Sequence, residues 1–310
     1  MQLLHFKKIR TMKKVISIVA LIVPLLMAQG QGCSDAGICS VGKSFENDSL
    51  VFKNSLEWGS QYAKGDADVS YVAHFLSYTK RFNARFAFSA KVTLSTATGS
   101  FGTRTQFGDA ILVGNYHFKP QKKQHWSALL GLKFPFTASN LKINGFSLPL
   151  DYQSSLGTID AFLGVNWRVQ RWDFNTVWQI PLVNLNKNSY FREYGGTNDF
   201  VSTNLFERQP DALVKVSYTQ PIPNSRWSIK PNLIAIYHLG EDSFENIFGQ
   251  REKIQGSSGL TVNANVNVNY VFNTSHQIDL ALASPFVVRD VRPDGLTRSL
   301  VINLVYQYSF

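Results

Sequence analysis

The sequence predicts an all-β fold: a transmembrane antiparallel up-and-down β-barrel of about twelve strands. Three observations carry this prediction: apolar and polar residues alternate along most of the chain, the connections alternate between short and long, and the last strand ends on an aromatic residue. Alternation weighs most, because successive side chains on a strand point to opposite faces.

The clearest stretch runs from Leu260 to Phe272. Leu260, Val262, Ala264, Val266, Val268, Tyr270 and Phe272 alternate with Thr261, Asn263, Asn265, Asn267 and Asn269, so one face is apolar and the other is a row of amides. The same pattern places strands near 52–64, 69–82, 84–96, 107–119, 124–136, 156–169, 171–183, 209–220, 225–239, 259–273, 275–289 and 296–310. Such lengths suit a tilted membrane-spanning strand.

The connections follow from these boundaries. Phe82-Asn83-Ala84, Pro120 to Lys123, Gln170-Arg171, Pro221 to Ser225 and Asn273-Thr274-Ser275 are tight and turn-like. Thr137 to Ser155, Asn184 to Arg208 and Gly240 to Ser258 are long. In a barrel with both termini in the periplasm, the short set faces the periplasm and the long set faces outward. Thr96 to Asp109, with Gly99, Gly102 and Gly108, reads as a Gly-rich external loop. It lacks the Gly-Lys-Ser/Thr ending and following helix of a phosphate loop.

At the C-terminus, apolar and aromatic residues fall on every second position from Leu300 to Phe310. Tyr306, Tyr308 and Phe310 resemble the β-signal read by the outer-membrane insertion machinery. That machinery and outer-membrane lipid are therefore the expected partners. At the other end, a basic stretch through Lys14, an apolar run from Val15 to Met27 and small residues at Ala28 and Gly30 read as a secretory signal. The expected organisation is a signal peptide over 1–30, a short periplasmic or plug-like segment over 31–50, and the barrel over 51–310. Cys33 and Cys39, the only cysteines, most simply form one disulfide in an exported chain, with a lipid-anchored Cys33 or metal ligation as alternatives.

The formal net charge of +10 does not point to nucleic acid. Lys7, Lys8, Arg10, Lys13 and Lys14 precede the first acidic residue, Asp35, within the segment expected to be removed, so the exported chain carries about half that excess. Beyond the signal, no run approaches the roughly 20 apolar residues of a spanning helix. Abundant aromatics (23 Phe, 12 Tyr, 6 Trp) with only 17% charged residues fit interfacial girdles.

Directing the apolar set toward lipid assigns Arg85, Lys91, His117, Lys133, Asp160, Arg168, Asp173, Lys215, Lys230, His238, Asn263, Asn265, Asn267, Asn269 and Asp279 to the lumen. The interior should then be polar and modestly basic. These charges either pair among themselves and fill the barrel or line a permeation path with a positive bias that favours anionic or amphipathic solutes. The cluster most like a catalytic one is His238-Leu239-Gly240-Glu241-Asp242-Ser243, where a carboxylate pair beside an imidazole would suit acid-base work or a cation, against the simpler reading of a solvated loop start. None of the histidines lies in the His-x-Ser-Asn-Gly setting of outer-membrane phospholipases. The sequence therefore predicts neither catalytic residues nor a metal or cofactor.

Phe107-Gly108-Asp109-Ala110-Ile111-Leu112-Val113-Gly114-Asn115-Tyr116, a Gly-Asp step leading into a strand that ends near a Tyr, resembles the MetA-pathway phenol-degradation-like family of outer-membrane barrels, related to long-chain fatty-acid transporter channels. The resemblance implies passive uptake of small hydrophobic or aromatic compounds across the outer membrane. The alternatives are a structural or adhesin-like barrel with a filled lumen and, third, a lipid-modifying enzyme.

Overall fold

The computed structural model describes residues 52–65, 67–118, 124–294 and 300–310. The signal peptide, the 31–50 segment with Cys33 and Cys39, and the Pro120 to Lys123 turn lie outside them. Twelve strands form the wall: β1 (Asn54–Lys64), β2 (Ser70–Arg81), β3 (Phe86–Gly99), β4 (Gly102–Phe118), β5 (Gln124–Pro135), β6 (Thr158–Val169), β7 (Trp172–Asn184), β8 (Asp211–Tyr218), β9 (Trp227–His238), β10 (Gly259–Val271), β11 (His276–Val287) and β12 (Leu300–Ser309). Each pairs antiparallel with its chain neighbours, and β1 pairs with β12 from Ser55↔Ser309 to Lys64↔Leu300. The sheet therefore closes on itself, which is how a β fold satisfies its backbone in hydrocarbon without leaving an edge.

The outer face carries the apolar half of the alternation. Leu76, Leu130, Leu163, Leu233, Leu282 and Leu304 are all exposed on it. Around the end that bears the short turns runs an aromatic girdle: Trp126 stacks on Trp167 at 5.7 Å, Trp172 packs on Tyr218 at 4.9 Å and Trp227 on Tyr270 at 4.5 Å. Tyr306, Tyr308 and Phe310 join this outward set, with His276 stacked on Tyr308 at 4.9 Å. An exposed apolar band bounded by amphipathic rings is the surface of an outer-membrane-type barrel.

Among the described residues, three β-bulges interrupt the register. Val92 faces Ala110 but Leu94 faces Phe107, so Gly108 and Asp109 both turn inward opposite Thr93. Comparable shifts fall at Ile159/Asp160, beside Pro181, and at Val262/Asn263, beside Pro285. The first of these corrects the expected loop at Thr96 to Asp109. β3 and β4 continue as a paired hairpin up to Gly99↔Gly102, and the bulge flips the inside-outside phase so that one period-2 reading stops at Phe107. Between β8 and β9 the ladder breaks between Ser217↔Asn232 and Gln220↔Ile229, the stretch opposite Pro231, which has no N–H to give.

The expected long connections appear as 136–157, 185–210 and 239–258, all at the end opposite the short turns. They fold inward. Leu148, Tyr152, Tyr190 and Phe200 from the first two pack on Ala63, Tyr71, Ala97 and Val301 of the inner wall, across the mouth from the strands that carry these loops. Leu150, Leu156, Phe206 and Ile254 form a second core between loops. The result is a lid with its own hydrophobic interior.

The lumen as candidate functional site

The inner face is not uniformly polar. On β4–β9, Ile111, Val113, Leu129, Phe162, Val177, Leu213 and Ile234 point inward and form a buried apolar belt. The expectation of a polar lumen missed it because these strands hold apolar residues on both faces (Ile111-Leu112-Val113, Ala161-Phe162-Leu163), so a rule sending every apolar residue to lipid could not see the inner row. Continuous rather than alternating runs were the available signal.

Polar networks flank the belt on both sides. Toward the short turns, Arg168 holds Asp173 at 2.5 Å, Lys230 reaches the same carboxylate at 3.4 Å, and Asn175 donates to Asn166 at 2.7 Å. The His117 ring faces the Ser127 hydroxyl at 2.8 Å. Toward the lid, Lys133, 0% exposed, lies 2.7 Å from Asp160 and 3.8 Å from Asp109, and the Gln179 amide donates to Asp160. Such a group is tolerable in a dry interior only because its charge is matched.

At the lid, His238 sits between two carboxylates, with Nδ1 2.6 Å from Asp211 and Nε2 2.8 Å from Asp242. Arg208 pairs with Asp211, and Arg289 binds Asp294 at 2.8 Å and the Ser257 carbonyl at 2.7 Å. All six side chains are buried. The simpler sequence reading of His238 to Ser243 as a solvated loop start is thus corrected: lid residues 239–258 cover the cluster, and of its partners Arg208 and Asp294 come from segments that read as connections and Arg289 from the last residue of an expected strand. Both imidazole nitrogens face carboxylates, leaving none for a hydroxyl nucleophile. No group of three His, Cys, Asp or Glu side chains able to hold a metal occurs among the described residues.

Of the predicted lumen residues, Lys91, His117, Lys133, Asp160, Arg168, Asp173, Lys215, Lys230, His238, Asn263, Asn265, Asn267, Asn269 and Asp279 lie on the inner face of their strands. Arg85 does not: it is exposed in the turn between β2 and β3, below the first residue of the wall. On β10 the amides join across strands, Asn265 donating to Asn232 at 2.8 Å and Asn267 to Asp279 at 3.1 Å.

The two halves of the lumen differ in packing. Inward residues of β4–β9 near the belt are buried, whereas Asn267, Asp279, Ala281, Asn303, Gln61, Phe75 and Lys91, on the arc from β10 through β12 and β1 to β3, are only half-buried. This looser arc opens into a vestibule of about 510 Å³ at the short-turn end, lined by Glu57, Arg168, Asp173, Lys230, Asn267, Asn269, Asp279 and Gln307, among others. At the other end, the arc stops beneath the lid.

In fold, the chain is similar to the KdgM porin, at 10% identity and a TM-score of 0.44, over 83% of this chain and 99% of that one. It is similar to the CymD monoaromatic hydrocarbon channel, at 9% identity and 0.46, over 90% and 94%. It is also similar to the translocator domain of the autotransporter NalP from Neisseria meningitidis, at 8% and 0.48, over 88% and 94%. No protein-family model and no curated protein matches the sequence.

The Gly-Asp step behind the family resemblance has a local cause. A Cβ at Gly108 would come within 2.5 Å of the Thr93 hydroxyl and 2.9 Å of the Ser154 carbonyl, so only glycine lets the 136–157 loop descend onto the bulge. Asp109 then faces Lys133.

Proposed function

We propose that this chain resides in the bacterial outer membrane, with the short turns in the periplasm and the long loops outside, and passes small amphipathic solutes passively along an off-axis path. The observation carrying this reading is the asymmetry of the interior. One half is buried and packed, and the other keeps half-buried inward side chains continuous with the 510 Å³ vestibule. Along that arc Phe75 and Val305 stand beside Asn267, Asn303 and Gln61, a mixture that suits solutes of mixed polarity. The lid closes the outer mouth, so the path is gated. Uptake of hydrophobic and aromatic compounds, as the family resemblance implies, is the finer form of the same reading. Exported folding through the insertion machinery, guided by Tyr306, Tyr308 and Phe310, belongs to it as well.

Solute flux into liposomes carrying the refolded protein tests the reading. We expect slow uptake that rises when the lid is loosened. No uptake by the wild type or by a lid-loosened variant would sink it in favour of the second reading, a non-transporting barrel whose outer loops bind a partner. That alternative draws support from the lid's rigidity: Asn184, Asn186 and Asn188 each accept from the backbone N–H two residues on and donate to a loop carbonyl.

A further inference from the structure

The register places four inward residues side by side on adjacent strands of the looser arc. Asn267 on β10 faces Ala281 on β11, Ala281 faces Asn303 on β12, and Asn303 faces Gln61 on β1. Amides therefore stand on both banks of a floor made by one methyl group. One level nearer the lid the floor continues as Ala283, beside Asn265.

The ends of this row differ from its middle. Below it, Asn267 and Asp279 open into the vestibule, where Lys230 is matched by Asp173 and Asp279 accepts from Asn267. Above it, Ala283 packs against the lid cluster. Between these points the inward residues of β10, β11, β12 and β1 carry no formal charge: Asn265, Asn267, Ala281, Ala283, Asn303 and Gln61. A second observation points to a ligand. Among the described residues, the side-chain oxygens of Asn265 and Asn303 and both amide atoms of Asn263, 0% exposed at the top of the same strand, have no hydrogen-bond partner. Unpartnered buried amides carry a standing desolvation penalty that a bound hydrogen-bonding group removes.

We infer that this row is the selectivity site of the path proposed above, and that it takes uncharged solutes bearing both donors and acceptors, hydroxyl or amide groups. An amide offers both donors and an acceptor but no net charge, so a neutral hydrogen-bonding solute replaces its water shell here at lower desolvation cost than an ion of either sign. The side-chain floor of Ala281 and Ala283 supplies the width. The inference rests on the off-axis channel reading.

The test uses three solutes built on the same six-carbon polyol chain: sorbitol, the N-methyl-D-glucamine cation and the gluconate anion. Their uptake is compared in liposomes holding the full mature chain. Sorbitol is expected to enter faster than either ion by about tenfold or more. Asn303→Asp should shift the order so that the cation gains on sorbitol while total flux persists. Ala281→Leu, which fills the floor, should abolish the flux of all three. Entry of all three at equal rates would overturn the selectivity site and leave the channel standing. An unchanged order in Asn303→Asp would place selection elsewhere and overturn it too. Failure of every solute, in the wild type and in a lid-loosened variant, would remove the channel itself and the inference with it.

Discussion

The hydroxyl of Tyr152 lies directly over Gly99, so that a Cβ on Gly99 would approach it to 2.3 Å. The same hydroxyl accepts from the Phe101 N–H at 3.1 Å, and its ring meets Phe101 edge-on at 5.5 Å. One glycine on the wall thus seats the ring that anchors the 136–157 loop. Gly99→Val should unseat Tyr152 and destabilise the lid by about 1–3 kcal/mol, the range for overpacking. The expected readout is faster solute flux with the barrel intact by heat-modifiable gel mobility. Flux identical to wild type would mean that this contact does not hold the gate.

Lys133 compensates two buried carboxylates, 2.7 Å from Asp160 and 3.8 Å from Asp109. Lys133→Met removes the cation and leaves Asp160 and Asp109 buried, which should cost about 3–5 kcal/mol. Adding Asp160→Asn should recover part of that loss, because the stranded charge rather than the missing bond is the larger penalty. Urea unfolding of the barrel in detergent micelles measures both variants. A single variant as stable as wild type would show that water reaches the site.

The wall of this barrel was legible because its requirement is periodic. Any residue facing lipid must be apolar, which fixes face, register and strand number, and the long loops stood out as the stretches where alternation fails. Gly108-Asp109 was misread because a bulge reverses the phase without changing composition. Ile111, Phe162 and Leu213 were missed because an inward apolar residue beside outward ones looks like a plain hydrophobic run. Arg208, Arg289 and Asp294 could not be found, since pairing across loops leaves no spacing rule in one chain. Arg85 obeyed the parity of β3 but fell one residue short of the strand.

The charges under the lid have opposite pH signatures. Burial alone would raise the Asp294 carboxyl, but the Arg289 and Arg208 guanidiniums outweigh it and hold it below the ordinary range. A lowered pKa means stability that is present above the unfolded value, about 3.9, and lost as pH falls through the lower folded value. Burial pushes Asp242 up, only partly offset by its hydrogen bond from His238. Its contribution is therefore full below the unfolded value and is lost as pH rises through the raised one. Proteolytic nicking within 239–258 should accelerate on acidification below about pH 4. Asp294→Asn should nick faster at neutral pH and show a flatter acid response. An unchanged acid response in that variant would assign the transition to another carboxyl.

The lid's stiffness has a specific source in Asn188, which is fully buried. Its side-chain amide donates to the carbonyls of Ser139 and Leu148 at 2.9 and 3.0 Å, and its oxygen accepts from the Tyr190 N–H and the Thr203 hydroxyl at 2.9 Å. Two loops are thereby joined through one side chain. Asn188→Ala should strand those carbonyls and cost about 1–3 kcal/mol locally, whereas the barrel strands, bonded to one another, should be unaffected. Hydrogen exchange separates the two: protection should fall in 137–157 and 185–205 and hold in β1–β12. A uniform loss across the strands would mean that the lid and wall unfold as one unit, and that the gate cannot open on its own.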